Sequence, residues 1–517
     1  MGRLSNIHAR WKVIPIAGLL AISVIGGATT VGASPAAKPA VKASKDNLRV
    51  VYPVEPVNLN PVKQANSFGN FWQPIMDPLI AQTASFQITN TGLITKWKQT
   101  NATTWRFTLR SGVKFSNGEK WDAKAAAFTI QTYKDTVGAP MRSYLLKITE
   151  LKAVNATTLD IVTSAADSSM PSVLSSIRAL PRVYFGKVGY DKFGEKPIGT
   201  GPYKLNKWTR GVLLHLVRND KHWGTKAKIK NLYFQFSADG DTRANLLATK
   251  AVDFAYPIPV QRYRTLALSK TNTVVAKEDR VQMNLFLMGQ KTQLADKDLR
   301  KAVSLAVNPK AITDSVLLGL GGEPNCTLLT TLLSKPGKAS CPTPNVAAAK
   351  AIVDAAGNPT ITFNYGPAQH TNGEAVAQAI KGQLEAAGFD VNMNSMDYQK
   401  MTGDMVGQKL EGIVMYAISP VYPHPNVYAQ GFLTSTSITK TCTDSRLSGL
   451  AVDALAAKTK TAADAVYKQM ETIAISDDHC LFPLYNEIKM WGMSRKLGGF
   501  VAPPAVVVDW SKVYWKS

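Results

Sequence analysis

The stretch from Trp105 to Ile130 constrains the fold of this chain more than any other. Apolar and polar residues alternate from Trp105 to Leu109, which is the pattern of a β-strand that buries one face. Gly112 permits a turn, after which Val113 and Phe115 resume the alternation. The first half of the stretch therefore predicts a strand, a turn and a second short strand.

A second turn and a helix follow. Asn117-Gly118 is typical of a hairpin turn. Asp122 can accept the free N–H groups of a helix that begins at Ala123. Strand-like runs, turn signals and Ala-rich helical stretches keep alternating to the C-terminus, which predicts an α/β fold rather than an all-α fold.

The order of residue types in this stretch resembles the signature of the family 5 extracellular solute-binding proteins, the oligopeptide- and dipeptide-binding cluster of ABC importers. The matching residues are Trp105, Phe107, Leu109, Arg110, Gly112, Val113, Lys114, Phe115, Gly118 and Ala123. The family usually has an acidic residue where this chain has Ala125.

Further segments resemble the family in its own order, so the resemblance covers nearly all of residues 48–517. These segments are Glu55 to Pro61, Ile198 to Leu205, the strand Leu213 to Val217, Ala251 to Phe254, the helix Asp298 to Asn308, two helices ending at Gly357 and Gly388, and the strand Leu481 to Tyr485. Glycine after a helix is expected because the helix C-terminus favours it.

The resemblance implies a two-lobed, periplasmic-binding-protein-like α/β fold (type II, cluster C) with an extra subdomain in lobe I. Lobe I would comprise residues 48–281 together with 482–517, and lobe II residues 282–481. The two crossings, near Arg280–Asn284 and Cys480–Tyr485, would be the hinge. A solute would bind between the lobes and stabilise the closed form by contacting both.

The resemblance also implies which residues contact the solute. They lie in the loop after Pro61, at the lobe crossing and in the run before Pro425. The candidate substrate-binding residues are Ala65, Asn66, Ser67, Asn284, Tyr416, Ala417, Ser419, Val421 and Tyr422.

One position of this set departs from the peptide-binding relatives. They carry an Asp that pairs with the α-amino group of the peptide, and alignment on Pro425 puts Val421 there. A buried ammonium would lose a charge-assisted partner worth roughly 1.5–3 kcal/mol. Either another acid supplies it, or the solute has no free amine in that pocket.

The formal net charge of the 517-residue chain is +24, which favours association with polyanions. The Lys and Arg residues are scattered and form no recognisable nucleic-acid motif, so nucleic acid is not an expected partner. An anionic membrane surface or cell-wall polymer is the expected polyanion, and the protein is expected to be monomeric.

The N-terminus has the pattern of an export signal. Arg3, Arg10 and Lys12 precede an apolar stretch, and small residues end at Ala33, so residues 1–33 are a predicted signal peptide and 34–47 a flexible leader. An uncleaved membrane helix is the alternative. No Cys precedes Cys326, so a lipid anchor on cysteine is not expected. The expected location is the cell surface, periplasm or exterior.

Four cysteines fit an oxidising compartment. Three pairings are possible, and proximity in sequence favours Cys326 with Cys341 and Cys442 with Cys480. Free buried thiols or a metal site are the alternatives, although the chain has no C-x-x-C.

The chain has no recognisable catalytic motif. Asp477-Asp478 is an acid pair of the kind that acid/base catalysis uses, but a solvated helix end or loop is the favoured interpretation. We therefore expect no enzyme, cofactor or metal, and predict a solute-binding component of an ABC importer that passes oligopeptides to a permease and its ATPase. The alternatives are a non-peptide solute such as a glycoside or metal chelate, an exported enzyme, and a non-transport module of the cell envelope.

Overall fold

The computed structural model describes residues 41–63, 69–288, 292–322, 328, 341–367, 370–437, 439–503 and 507–517. The predicted signal peptide lies outside these residues. The first strand begins at Asn47, one residue before the predicted start of lobe I.

Two kinds of element alternate along the chain, as predicted. The strands are β1 (Asn47–Tyr52), β2 (Ala81–Gln82), β3 (Ile88–Thr89), β4 (Ile94–Asn101), β5 (Thr104–Leu109), β6 (Ile148–Asn155), β7 (Thr158–Thr163), β8 (Tyr203–Thr209), β9 (Leu213–Arg218), β10 (Asn231–Phe236), β11 (Phe254–Ala255), β12 (Asn272–Met288), β13 (Thr360–Tyr365), β14 (Asp390–Ser395), β15 (Gly412–Ile418), β16 (Leu481–Ser494), β17 (Leu497–Gly498) and β18 (Tyr514–Trp515). The α-helices are α1 (Gly69–Trp72), α2 (Ala123–Asp135), α3 (Arg142–Leu145), α4 (Met170–Leu174), α5 (Arg182–Glu195), α6 (Gly240–Ala248), α7 (Val260–Ala267), α8 (Lys297–Ala306), α9 (Pro309–Ser315), α10 (Val346–Ala355), α11 (Gly373–Ala386), α12 (Tyr398–Val406), α13 (Asn426–Tyr428), α14 (Arg446–Ala456) and α15 (Lys460–Thr472). A 3-10 turn spans Gln293–Ala295, and π-helical turns span Ala429–Leu433 and Ile473–Asp477.

In the described residues, ten strands form one mixed sheet in the order β14-β13-β15-β12-β16-β11-β1-β10-β9-β8. β1 runs parallel to β10 and β11, and β13 runs parallel to β14 and β15. The central strands β12 and β16 are antiparallel. Each half of the sheet is thus built around parallel strands, and β12 and β16 join the halves.

The last four residues of β12, from Leu285 to Met288, are all apolar, and the burial of this strand explains why. Met283, Leu285 and Leu287 belong to one hydrophobic core, whereas Phe286 and Met288 belong to another. Successive side chains of a strand point to opposite faces. A strand covered on both faces loses the polar alternation of an exposed one, and β12 is covered in this way.

A separate antiparallel sheet has the order β4-β5-β7-β6. It contains the beginning of the Trp105–Ile130 stretch in β5, and Phe107 and Leu109 of this strand are buried as predicted. The Asp122 carboxylate accepts the Ala125 N–H at 2.8 Å, so the predicted cap of α2 is confirmed. This sheet with α2 is additional to the main sheet, as an extra subdomain requires.

The predicted short strand after Gly112 is only partly correct. Val113 and Phe115 are buried, but the segment forms an isolated bridge between Lys114 and Lys120 rather than a strand. The turn closes at once, because Phe115 N–H donates to the Glu119 carbonyl at 2.8 Å. There is no room for a ladder between the turn and the helix cap.

The predicted helix ends are confirmed. Gly357 and Gly388 follow the last turns of α10 and α11 with φ of 77° and 94°, a conformation that glycine adopts without a side-chain clash. β13 lies between these two helices and was not predicted.

The disulfide between Cys442 and Cys480 is confirmed. Cys341 is also disulfide-bonded, whereas Cys326 lies outside the described residues. The Cys442–Cys480 bond ties the segment before α14 to the start of β16, where the chain crosses back toward predicted lobe I.

Candidate functional site

The two crossing strands lie side by side, and their pairing is irregular at the predicted hinge. Gln282 lies opposite Asn486, and Met283 opposite Tyr485. The register shifts between Glu278 and Gln282 and again directly after Met283. The ladder is therefore least regular where the two predicted lobes join.

Two predicted solute contacts meet at this crossing. Asn284 of β12 pairs in register with Tyr416 of β15. Asn284 is fully buried, and its Nδ2 donates to the Gln282 carbonyl at 2.8 Å, while its Oδ1 has no partner among the described residues. Half-buried Tyr416 stacks on Tyr398 with parallel rings 5.6 Å apart. The arrangement leaves a buried acceptor beside an aromatic wall.

The neighbours of Tyr416 are placed differently. Ala417 points to the opposite face of β15 and is buried in the core that contains Met283. Ser419 is half-buried just beyond the end of β15. The predicted contacts Ala65, Asn66 and Ser67 lie outside the described residues.

Val421 and Tyr422 lie where the two predicted lobes touch. The Ser176 hydroxyl donates to the Val421 carbonyl, and the Tyr422 ring packs edge-on against Tyr144 at 5.0 Å. Tyr422 is fully buried. Both residues thus contribute to the contact between the two predicted lobes.

We call this contact between residues 143–176 and 421–455 the interlobe seam. Its further hydrogen bonds all end on backbone carbonyls: Tyr144 Oη to Val427 O (3.2 Å), Ser172 Oγ to Pro423 O (3.3 Å), Gln430 Nε2 to Ser143 O (3.0 Å) and Ser168 N to Leu455 O (3.2 Å). A bond that ends on a backbone carbonyl fixes the position of the accepting segment. It does not depend on the side chain of the accepting residue.

A buried ionic cluster at the crossing was not anticipated from the sequence. Glu487 of β16 forms an ion pair with Lys489 and accepts from His370 Nδ1 at 2.8 Å. Burial alone raises the pKa of Glu487, but Lys489 and His370 outweigh it and hold the pKa at about 2. Burial lowers the pKa of Lys489, and the Glu487 carboxylate more than reverses this. Glu487 and Lys489 are therefore a charged, mutually satisfied pair.

Asp279 of β12 is a second carboxylate in this region, and only one of its two oxygens accepts a hydrogen bond from the described residues. It is 3% exposed. Its Oδ1 accepts the Arg280 backbone N–H at 2.7 Å, while its buried Oδ2 accepts no hydrogen bond from any described residue. Burial raises the pKa of Asp279 to about 7 against the attraction of Lys489. In sequence, Asp279 is one acid inside a strand-like run, and no motif marks it.

Aromatic side chains from predicted lobe I lie near the same cluster. The Tyr256 ring stacks on Trp491 at 5.6 Å and is 5.4 Å from the Tyr52 ring. Burial raises the pKa of Tyr256 to about 12. The Tyr52 hydroxyl and the Trp491 indole N–H are buried without a hydrogen-bond partner among the described residues. Two further polar atoms in this region are thus buried without a hydrogen-bond partner among the described residues.

The acid pair Asp477-Asp478 has a structural role. Asp478 accepts from Arg300 Nη2 at 2.6 Å, which ties the end of the helical segment after α15 to α8. In the described part of the chain, no group of three His, Cys, Asp or Glu side chains is placed to hold a metal ion.

A cavity of about 510 Å³ lies elsewhere, on predicted lobe I. Its walls come from residues 77–92, 222–228 and 511–514. All of these belong to one predicted lobe, so closure of the lobes would not change it. We place the candidate site at the crossing instead, where both lobes contribute. The described residues contain no helix that has both the length and the apolar character to cross a bilayer.

Known proteins resemble this chain in sequence. The sequence profile of the bacterial extracellular solute-binding proteins, family 5 Middle, matches residues 89–440. Glutathione-binding protein GsiB of Salmonella paratyphi A is 24% identical over 422 residues, which span 78% of this chain and 81% of GsiB.

Solved structures share the fold at low identity. A dipeptide-binding protein from Pseudoalteromonas sp. SM9913 in complex with Met-Leu has a TM-score of 0.81 and 18% identity, covering 91% of this chain and 100% of that one. NikZ from Campylobacter jejuni in complex with Ni(L-His) has a TM-score of 0.82 and 15% identity with the same coverage. The fold is therefore the two-lobed type II fold of periplasmic binding proteins, and the chain belongs to the family 5 extracellular solute-binding proteins of ABC transporters.

Proposed function

We propose that this protein captures short peptides between its lobes and delivers them to the permease of its ABC transporter. The similar proteins named above bind a dipeptide, glutathione or a nickel–histidine complex, so the family alone does not decide the solute. The decision rests on the chemistry at the crossing. A peptide offers an ammonium group, a carboxylate and backbone amides.

The buried carboxylate of Asp279 carries this proposal. The family resemblance puts Val421 at the position expected to bind the peptide amine. Asp279 is an acid at the crossing with an oxygen that accepts no hydrogen bond from the described residues. A buried carboxylate without a partner is costly, and a ligand ammonium would provide one. A charge-assisted hydrogen bond of this kind contributes roughly 1.5–3 kcal/mol.

Other unpartnered atoms in this region suit the peptide backbone. Asn284 Oδ1 can accept a backbone N–H, and the Tyr52 hydroxyl can donate to a carbonyl. Contacts with the backbone do not depend on the side chains of the peptide. We therefore expect tolerance of peptide sequence together with a requirement for a free amino terminus.

Closure follows from the position of the site. Asp279 and Asn284 lie on the strand that joins the predicted lobes, and the interlobe seam already joins residues 143–176 to 421–455. A solute that contacts both lobes adds its binding energy to the closed state and shifts the population toward it. The closed form with bound solute would then be the form that docks on the permease.

A thermal-shift screen tests the proposal. Di- to pentapeptides, oligosaccharides and a nickel–histidine complex would each be added to the purified protein. At a hundred times its Kd, a bound peptide adds about 2.7 kcal/mol to the free energy of unfolding. If a sugar or the nickel complex raised the melting temperature and no peptide did, the peptide proposal would be wrong.

A matched pair of variants then tests the role of Asp279. Asp279→Asn should lower affinity for a peptide with a free amino terminus at least tenfold and leave the N-acetylated peptide unaffected. Asp453→Asn, which alters an exposed carboxylate of α14, should change neither affinity. If Asp279→Asn lowered the affinity for both peptides equally, Asp279 would not be the residue that binds the amino terminus.

A further inference from the structure

The cavity of about 510 Å³ on predicted lobe I has a wall that suits an anion. Its basic side chains are Lys226, Lys228 and Lys512, and its only acid among the described lining residues is Asp77. The Oδ2 of Asp77 accepts from the Trp223 indole N–H at 2.8 Å. The lysines therefore outnumber the acid, and the acid is already engaged by a neighbour in the wall.

His222 lies in the same wall, and both of its ring nitrogens are unused. Its side chain is 9% exposed, and neither Nδ1 nor Nε2 has a hydrogen-bond partner among the described residues. Asp77 Oδ2 lies 3.7 Å from Nε2, which is too far for a hydrogen bond. A buried polar group without a partner is unfavourable, so a ligand that supplies an acceptor would stabilise this side chain.

His215 shows how another histidine of this protein is satisfied. Its Nδ1 lies 2.8 Å from Asn206 Nδ2, and its Nε2 lies 3.0 Å from Asn231 Oδ1. Each ring nitrogen of His215 thus has an amide partner within the fold. His222 has no such partner in the described part of the chain, so internal hydrogen bonding does not account for an imidazole at this position.

The surroundings hold the His222 ring in place and leave one edge uncovered. The backbone N–H of His222 donates to the Asn219 carbonyl at 3.0 Å, and its ring centroid is 5.3 Å from that of Trp223. A Cβ at Gly224, which also lines the cavity, would lie 2.9 Å from Cε1 of His222, the ring carbon between the two nitrogens. Because Gly224 has no side chain, this edge of the ring stays open.

Lys228 supplies a cation to the same cavity. Its Nζ lies 4.3 Å from the centroid of the Tyr514 ring, which is another lining residue. The other two lysines of the wall form ion pairs with acids outside the cavity, at 2.7 and 3.0 Å. Lys228 pairs with no acid among the described residues, so its charge is available to a ligand.

We propose that this cavity binds a phosphate group, with His222 and Lys228 as donors. The two donors come from separate positions of a loop and do not form a planar fork, which suits a tetrahedral anion whose oxygens point in different directions. The cavity lies within one predicted lobe, so this site is independent of the proposed peptide site. Inorganic phosphate and the head group of an anionic phospholipid share this chemistry, and binding measurements separate the two sources.

Isothermal titration of the full-length protein with inorganic phosphate is the first measurement, and co-sedimentation with phosphatidylglycerol vesicles is the second. Both use about 0.15 M salt, at which the Debye length is about 8 Å, so that the net charge of the chain is largely screened. Binding of inorganic phosphate supports a site for the free anion, and binding of the vesicles alone supports a head-group site. Absence of binding to either probe would overturn the proposal.

Three variants show whether binding occurs in this cavity. His222→Phe keeps a ring and removes both nitrogens, and Lys228→Gln removes the charge, so each should weaken binding of the probe about tenfold. Lys230→Gln is the matched control, because Lys230 is an exposed lysine outside the cavity that pairs with Asp46, and it should change nothing. An equal loss in Lys228→Gln and Lys230→Gln would overturn the proposal.

The exposed position of Lys228 keeps the test decisive. Its replacement leaves the fold intact, so an unchanged affinity in Lys228→Gln overturns the proposal even if His222→Phe is too unstable to measure. Peptide affinity should be the same in Lys228→Gln as in the unaltered protein. Loss of the phosphate site and failure of the proposed function are therefore distinguishable.

Discussion

The half-satisfied carboxylate of Asp279 makes stability depend on pH in a direction opposite to that of most acids. Its pKa is about 7 in the fold, against an ordinary value of 3.8. The stability contributed by the neutral form is therefore fully present below pH 3.8 and is lost as the pH rises through 7. The difference between the two pKa values corresponds to about 4 kcal/mol, since one pKa unit equals 1.36 kcal/mol.

Asp279→Asn, which stays neutral, should therefore be more stable than the unaltered ligand-free protein at pH 8, by up to about 4 kcal/mol. Near pH 4 the two proteins should be equally stable. Urea unfolding at a series of pH values measures this difference. A difference that did not change between pH 4 and 8 would refute the reasoning, because it would show that Asp279 ionises as freely in the fold as in water.

Three further predictions concern other parts of the molecule. Asp253→Asn should lower the free energy of unfolding by about 3 kcal/mol in a urea titration, because it leaves Arg49 buried without its anion; a loss below about 1 kcal/mol would contradict this. Replacing Cys442 and Cys480 with Ser should cost about 4 kcal/mol in a urea titration by the chain-entropy estimate for a 38-residue separation, and a loss below about 1 kcal/mol would contradict this. Burial lowers the pKa of His424 from 6.5 to about 4, so the stability that neutral His424 provides is present above pH 6.5 and lost as the pH falls toward 4. His424→Gln should be less sensitive to acid over that range, and an unchanged acid transition would contradict the assignment.

Local rules and family resemblance together predicted much of the fold. The strand of Phe107 and Leu109, the cap at Asp122 and the glycine helix ends each depend on a few adjacent residues. The predicted short strand at Val113 and Phe115 is wrong, because the next turn closes directly after it and leaves only an isolated bridge. It also missed β13, which requires knowledge of its partners β14 and β15.

The candidate site was less predictable. The register of β12 and β15 brings Asn284 beside Tyr416, as a shared site would need, although solute contact stays a prediction for both. Asp279 could not be singled out, because it is an isolated charge with no motif around it. What marks it is burial with an oxygen that accepts no hydrogen bond from the described residues, and that arises only when distant strands meet.

The broken ladder between β12 and β16 bears on how the protein moves. Strands in unbroken register resist bending, because every hydrogen bond must lengthen. Here the irregular positions fall between Glu278 and Asn284, at the predicted hinge, and Asp279 lies among them. A solute that binds its carboxylate would stiffen the predicted hinge. Amide hydrogen exchange at residues 278–284 should therefore slow on binding even if the rest of the sheet is unchanged.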